Sequence, residues 1–259
     1  MNSLLLYEYY SGGSLWLTAA LIIVEVLLII ASISAIISKI SLAIKYNKFN
    51  RVETSLGHTA FSACRTLLDE NGMSDVEIKE AGFFRALFYG NHYCKRQKTV
   101  YFRKGIINST SITAVGIAVQ KVGLVIQDKE DNPAFKYRAM VAPFAIFGYV
   151  LVLPITILGI IFDVVFTLGS VFAILSVIIS FIIFVVASVF SMLSIPVESR
   201  ANKLALELMV KTKMLNEEEQ LLIKDVFSAY MISYVLDFVV ALLLIIKVVF
   251  QIILISISN

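Results

Sequence analysis

The stretch Ser111–Asp128, SITAVGIAVQKVGLVIQD, decides how the rest of the chain is read. Asn108, Ser109, Thr110 and Ser111 offer side-chain oxygens that can accept hydrogen bonds from the first unpaired amides of a helix. The residues after them are almost entirely apolar and free of proline, so the pattern predicts a helix over 111–128. A helix that is apolar all round must be buried all round. Inside it, Gln120 and Leu124 lie four residues apart and share a face, with Lys121 beside the first and Gly123 beside the second.

The composition places that buried helix in a membrane protein. The 259 residues are 59% hydrophobic with a mean hydropathy of +0.86, well above a soluble chain of this size. A spanning helix needs about 20 apolar residues, and four segments supply them: 15–38, 143–162, 164–190 and 231–255. The predicted layout is an outer tail over 1–14, broken from the first span by Gly12-Gly13, and a transmembrane helix over 15–38. A polar domain comes next over 39–142, then a hairpin of two spans over 143–190 that turns at Gly159–Asp163. Helices over 191–230 complete the domain, and a fourth span covers 231–255. The first span lacks a basic leader and is too long for a secretory signal, so it reads as a retained anchor.

Charge sets the expected orientation. Sixteen of the 22 lysines and arginines fall between Lys39 and Arg138, five between Arg200 and Lys224, and one, Lys247, inside the last span. By the positive-inside rule both termini face outward and the polar domain is cytoplasmic, in a cell membrane. Lys39, Lys45, Lys48 and Arg51 form the collar that fixes this topology. The net charge of +3 gives no reason to expect nucleic acid as a partner. The lipid bilayer is the partner that the composition implies. Cys64 and Cys94 on the cytoplasmic side should stay reduced.

Within the domain, Ala60, Phe61, Ala63, Cys64, Leu67 and Leu68 mark a helical face ended by Asn71-Gly72, and Asp75–Lys79 alternates as a strand does. Thr99–Phe102 is a second strand. Pro196 is expected to break the helix that leaves the third span. Asn216, with Glu217, Glu218 and Glu219, starts a helix that runs into the last span past Asp237. Glu25 and Lys247 lie at similar depths in the first and last spans. They either pair, or Glu25 is protonated inside the bundle while Lys247 snorkels to the surface.

Gln120-Lys121-Val122-Gly123-Leu124 has the frame of an H-E-x-G-H zinc-peptidase helix, in which two histidines on one face bind the metal and the glutamate is the general base. With RTLLDENGMSDVEIKE, NHYCKRQKTVYF, SIPVESRANKLAL and NEEEQ in the same order, the chain resembles the YugP-like family of membrane-embedded neutral zinc metallopeptidases. The resemblance runs from Gly57 into the C-terminal span. It implies an α-helical multi-pass membrane protein, with four transmembrane helices and a small cytoplasmic α+β zincin-like domain. It also sets Gln120, Lys121 and Leu124 at the positions of the first histidine, the glutamate and the second histidine.

By the same resemblance Glu198 stands where such enzymes take a third, acidic ligand, and Arg200 replaces an aspartate usual in the family. His92 falls in a segment that is Asp-His-Tyr-Asp in the family and is not its metal motif. Zinc is the cofactor of active members. Here the ligands and the base are replaced, so no cofactor is expected, and Glu198 and His92 are only weak metal candidates. A Lys121–Glu198 ion pair could brace in zinc's place. Serine and cysteine mechanisms need a histidine base, and His58 and His92 are the only two histidines.

The expected function is that of a catalytically inactive, peptidase-like subunit in a membrane protease or quality-control assembly, partnered by an active protease or a homologous subunit. Zincins hold peptides as an added strand, and Lys98, Thr99, Val100, Tyr101 and Phe102 are the edge nominated for this. The alternatives are an active metallopeptidase with non-standard ligands and a purely structural subunit.

Overall fold

The computed structural model describes residues 3–145, 148–166 and 171–258. In chain order the elements are α1 (Ser3–Phe49), α2 (Ala60–Glu70), β1 (Glu77–Glu80), α3 (Phe83–Phe88), β2 (His92–Cys94) and β3 (Thr99–Phe102). After these come α4 (Lys104–Ile107), α5 (Ile112–Lys129), α6 (Pro133–Ala145), α7 (Gly148–Phe166), α8 (Val171–Thr212) and α9 (Glu217–Ser258). Two compact units divide them. One joins α1 up to Ile40 with α9 from Ile232, and the other holds everything from Ser41 to Met231.

The helices are longer than the spans that the sequence marks. Gly12-Gly13 does not break α1, which is helical from Ser3; two glycines cost only about 2 kcal/mol of helix propensity, too little to stop an apolar run. Pro196 likewise sits inside α8 without ending it. Among the described residues three helices have the length and apolarity to cross a bilayer, within Leu15–Phe49, Val171–Thr212 and Glu217–Leu254. The sequence predicts four. The apolar part of α7, Pro154–Phe166, spans about 20 Å at 1.5 Å per residue, against a hydrocarbon core of about 30 Å.

In the first unit two ion pairs join α1 to α9. Lys247 meets Glu25 at 2.6 Å and Lys39 meets Asp237 at 2.8 Å. Asp237 therefore has a cation of its own, and Glu25 and Lys247 take the paired alternative.

In the second unit α7 and α8 pack along each other. Gly159–Asp163 is helical, not a turn: an added Cβ on Gly159 would strike Ser176 and the Phe172 carbonyl, so the absence of a side chain lets the helices touch. Asp163 accepts hydrogen bonds from the backbone amides of Phe172 (3.0 Å) and Ala173 (2.5 Å), closing the start of α8.

The polar domain forms around a sheet of order β1-β3-β2, with β1 parallel and β2 antiparallel to β3. Its core joins Leu67 and Leu68 of α2, Val100 and Phe102 of β3, Val115, Val119 and Val122 of α5, Met209 of α8 and Ile223 of α9. Thr59 caps α2, accepting from the Ser62 amide at 3.1 Å. Ala60, Ala63, Cys64, Leu67 and Leu68 face inward at helical spacing, whereas Phe61 falls off that stripe and is exposed. Burial pushes the Cys64 thiol up to about 12, and both cysteines are free.

The sheet corrects one functional expectation. Thr99, Val100, Tyr101 and Phe102 form the central strand, hydrogen-bonded on both sides and buried throughout, so they offer no edge to a partner. Lys98 precedes the strand in a left-handed turn (φ 45°) and pairs with Asp75 at 2.7 Å. The strand His92–Cys94, too short for alternation to reveal it, takes the outer position beside α5.

If the Glu25–Lys247 bridge stabilises the first unit, Glu25→Gln and Lys247→Met will each lower the thermal unfolding midpoint, and the double variant will lose less than the sum of the two. Additive losses would show that the ion pair contributes nothing.

Candidate functional site

Helix α5 is fixed at its start by Ser111, whose hydroxyl accepts from the Ala114 amide (3.2 Å) and donates to Asn50 Oδ1 (2.8 Å). It then runs between α2 and α8, buried on nearly all sides. Two of its glycines set how closely neighbours approach. A Cβ on Gly116 would come within 3.0 Å of the Ile223 side chain on α9, and one on Gly123 within 2.6 Å of the Ala201 carbonyl oxygen on α8. The second obstacle is backbone, which cannot swing aside. That close approach aligns Gln120 and Lys121 with Glu198 and Asn202, one turn apart on α8.

Gln120 donates from one amide nitrogen to Glu198 Oε2 at 2.7 Å and to Asn202 Oδ1 at 3.0 Å. Lys121 Nζ donates to Gln120 Oε1 at 2.8 Å. From α6, Arg138 donates to Glu198 Oε1 at 2.6 Å and to Ser194 Oγ at 3.2 Å, with its guanidinium 5.5 Å from the Phe190 ring centre. Ser194 donates its own proton to the Phe190 carbonyl at 2.8 Å. Three helices thus meet at one carboxylate, whose side chain is 3% exposed.

The predicted Lys121–Glu198 contact takes an indirect form. Both carboxylate oxygens are engaged, by Arg138 and by Gln120, and Lys121 reaches the carboxylate only through the Gln120 amide. Burial pulls the Lys121 pKa down, the charge of Glu198 opposes that, and Arg138 adds to it. Arg200 does not enter the cluster: it is half exposed and bridges to Glu130. The cation beside Glu198 is Arg138, which in the sequence is one of many basic residues with nothing to single it out. Asn202 was legible in principle, since i and i+4 share a helix face.

Leu124 packs with Phe135, Val197 and Ala201 in a small apolar cluster. One turn on, the buried Gln127 donates to the Val197 carbonyl at 3.0 Å and ties the same two helices. His92 lies on β2, its ring stacked 5.2 Å from that of Tyr101 and its Nδ1 3.1 Å from the Gly90 carbonyl. Burial, which dominates, pulls its pKa down to about 4. Next to it, Tyr93 donates to Asp128 at 2.8 Å, and Lys95 bridges the same carboxylate at 2.6 Å.

Long apolar helices, a three-stranded sheet and a buried polar knot where α5, α6 and α8 meet define a helical membrane protein carrying a small α+β domain. The chain belongs to the family described as "Putative neutral zinc metallopeptidase", whose sequence profile matches residues 23–253. It is 26% identical over 198 residues to "Putative membrane protease YugP" of Bacillus subtilis (strain 168), covering 76% of this chain and 82% of that protein. No solved structure matches it significantly.

The family name implies zinc, and the knot does not suit it. A catalytic zinc takes three donors from His, Cys, Asp or Glu, and no three of these gather among the described residues. Gln120 turns its amide nitrogen to the Glu198 carboxylate, Lys121 donates to the Gln120 amide oxygen, and Leu124, which packs among apolar side chains, has no donor atom. The cation paired with the Glu198 carboxylate is Arg138.

Removing Arg138 while keeping Glu198 leaves a buried carboxylate without its ion-pair partner. Arg138→Met should destabilise the protein by about 3 kcal/mol, and Arg138→Met with Glu198→Leu should recover most of that, measured by unfolding in detergent. The His92 pKa lies below its ordinary 6.5, so its share of stability is complete above pH 6.5 and is lost as the pH falls through about 4. His92→Gln should flatten the unfolding midpoint over that interval.

Proposed function

We propose that this chain is a catalytically inactive member of its family that acts by binding, as an adaptor or regulatory subunit of a membrane protease or quality-control assembly. The observation that carries this reading is the Arg138–Glu198–Gln120 knot. The acidic residue that would complete a metal site is instead neutralised by an arginine, and the residue at the general-base position is a buried lysine hydrogen-bonded to its neighbour. A charged lysine cannot take a proton from water, so the ammonium form of Lys121 does not replace a glutamate base.

Binding does not need the metal. Strand β2 (His92–Cys94) pairs with β3 on one side and lies beside α5, and its other side is the edge on which an extended peptide would add as a strand. The partner is an active protease of the same membrane, a homologous subunit, or a client presented to one. The cation distribution supports a cytoplasmic domain with both termini outside, and α7 with α8 then forms a hairpin entering from the cytoplasmic face. Zincin likeness of the domain belongs to the same reading.

Zinc content per chain, in protein purified without chelator or histidine tag, tests it. Near zero is expected, together with zinc uptake in a Gln120→His, Lys121→Glu, Leu124→His variant. About one zinc per wild-type chain, lost on Glu198→Ala, would overturn the proposal and return the chain to the peptidases.

A further inference from the structure

The polar domain carries a surface that neither the buried knot nor the sheet explains. Helix α3 presents Phe83, Phe84 and Leu87 to solvent at 76%, 73% and 61% exposure, with Phe88 and Tyr89 each more than a third exposed. Nothing in α3 is buried, so the helix is not part of the core. A domain of this size has no folding reason to hold five large apolar side chains in water within seven residues. Contiguous exposed patches of this kind mark a surface that is covered in use.

The surrounding charge says what covers it. From Ala81 to Thr110, after the exposed Glu77 and Glu80 and before the buried α5, the chain has six lysines and arginines and no aspartate or glutamate. Arg96, Arg103 and Lys104 are exposed, and among the described residues none of them pairs with a carboxylate. Arg85, on α3 itself, spends its charge over the Tyr101 ring at 4.0 Å and on the Gln97 amide oxygen at 2.9 Å. Aromatic side chains rimmed by cations that no carboxylate neutralises suit the headgroup layer of an anionic bilayer, where rings sit at the interface and cations meet lipid phosphates.

The position in the fold agrees. The domain is joined to apolar helices at both ends, so a membrane surface is always within reach. Tyr89, at the end of α3, lies 5.1 Å from the His92 ring on the outer strand, and His92 feels the charge of Lys121. The same knot reaches Phe190, at the polar end of the α8 apolar run, through Arg138. The aromatic patch therefore adjoins the outer strand within one unit.

We propose that Gly82–Tyr89 is an interfacial anchor that inserts its aromatic side chains among anionic lipid headgroups, holding the outer strand of the sheet at the membrane surface. It binds lipid irrespective of whether the buried knot is catalytic.

The protein has a single tryptophan, Trp16, so a Trp16→Phe, Phe84→Trp variant carries one reporter at an exposed site where folding is not at stake. The full-length variant is placed in nanodiscs of phosphatidylglycerol, with and without bromine on the upper acyl carbons, and in the same pair made of phosphatidylcholine. Insertion predicts loss of about half the emission to the brominated phosphatidylglycerol, with less quenching in phosphatidylcholine and restored emission when Arg96, Arg103 and Lys104 are changed to glutamine. Emission equal in brominated and plain lipid would overturn the proposal and leave a protein client as the occupant. Quenching equal in the two lipid classes and indifferent to the glutamine variant would overturn its anionic part. A Phe83→Trp reporter in the same background repeats the reading one residue away.

Discussion

A single carboxylate, that of Glu198, is the constraint around which the second unit closes. It lies where water does not reach, so it must be neutralised and hydrogen-bonded by the protein itself. Arg138 and Gln120 do this from two different helices, and Asn202 extends the contact along α8. None of the three helices can shift along its axis without breaking one of these bonds. A buried ion pair is weak evidence for stability, because an apolar replacement of equal shape often does as well. Its use here is to fix register, which an apolar contact of leucines against alanines would leave loose.

The glycines serve that same carboxylate. Gln120 is short, and it spans the gap to Glu198 only because Gly123 lets α5 come close to the Ala201 backbone. An H-E-x-G-H helix would need the same closeness for its metal. Here that closeness serves amide and guanidinium hydrogen bonds to the carboxylate.

Much of this was legible in the sequence. The cap at Ser111, the buried helix after it and the capping residue Asn216 come from local rules with few competitors, whereas the sequence offered the pairing of Glu25 with Lys247 only as one of two alternatives. Three kinds of feature were not. Gly12-Gly13, Gly159 and Pro196 read as breaks because their cost is local, whereas apolar packing along the whole helix outweighs it. Strand order depends on long-range pairing, which is why Thr99–Phe102 passes for an edge and the three residues His92–Cys94 do not stand out as a strand. Arg138 was hidden because one cation among many carries no signal until the fold brings it to a carboxylate sixty residues away.

The core of the polar domain is written in two separated parts of the chain. Val100, Phe102 and the α5 valines come from the first part, while Met209, Leu215 and Ile223 come from beyond the hairpin. Glu219 adds a second dependence, since its carboxylate accepts from the backbone amides of Ser55 (2.6 Å) and of Asn216 (2.8 Å), tying the entrance of the domain to the base of α9. During synthesis the first part leaves the ribosome with one wall of its core missing. It stays open until the late helices arrive, so the core of the polar domain closes only after the long apolar run of α8 has been made.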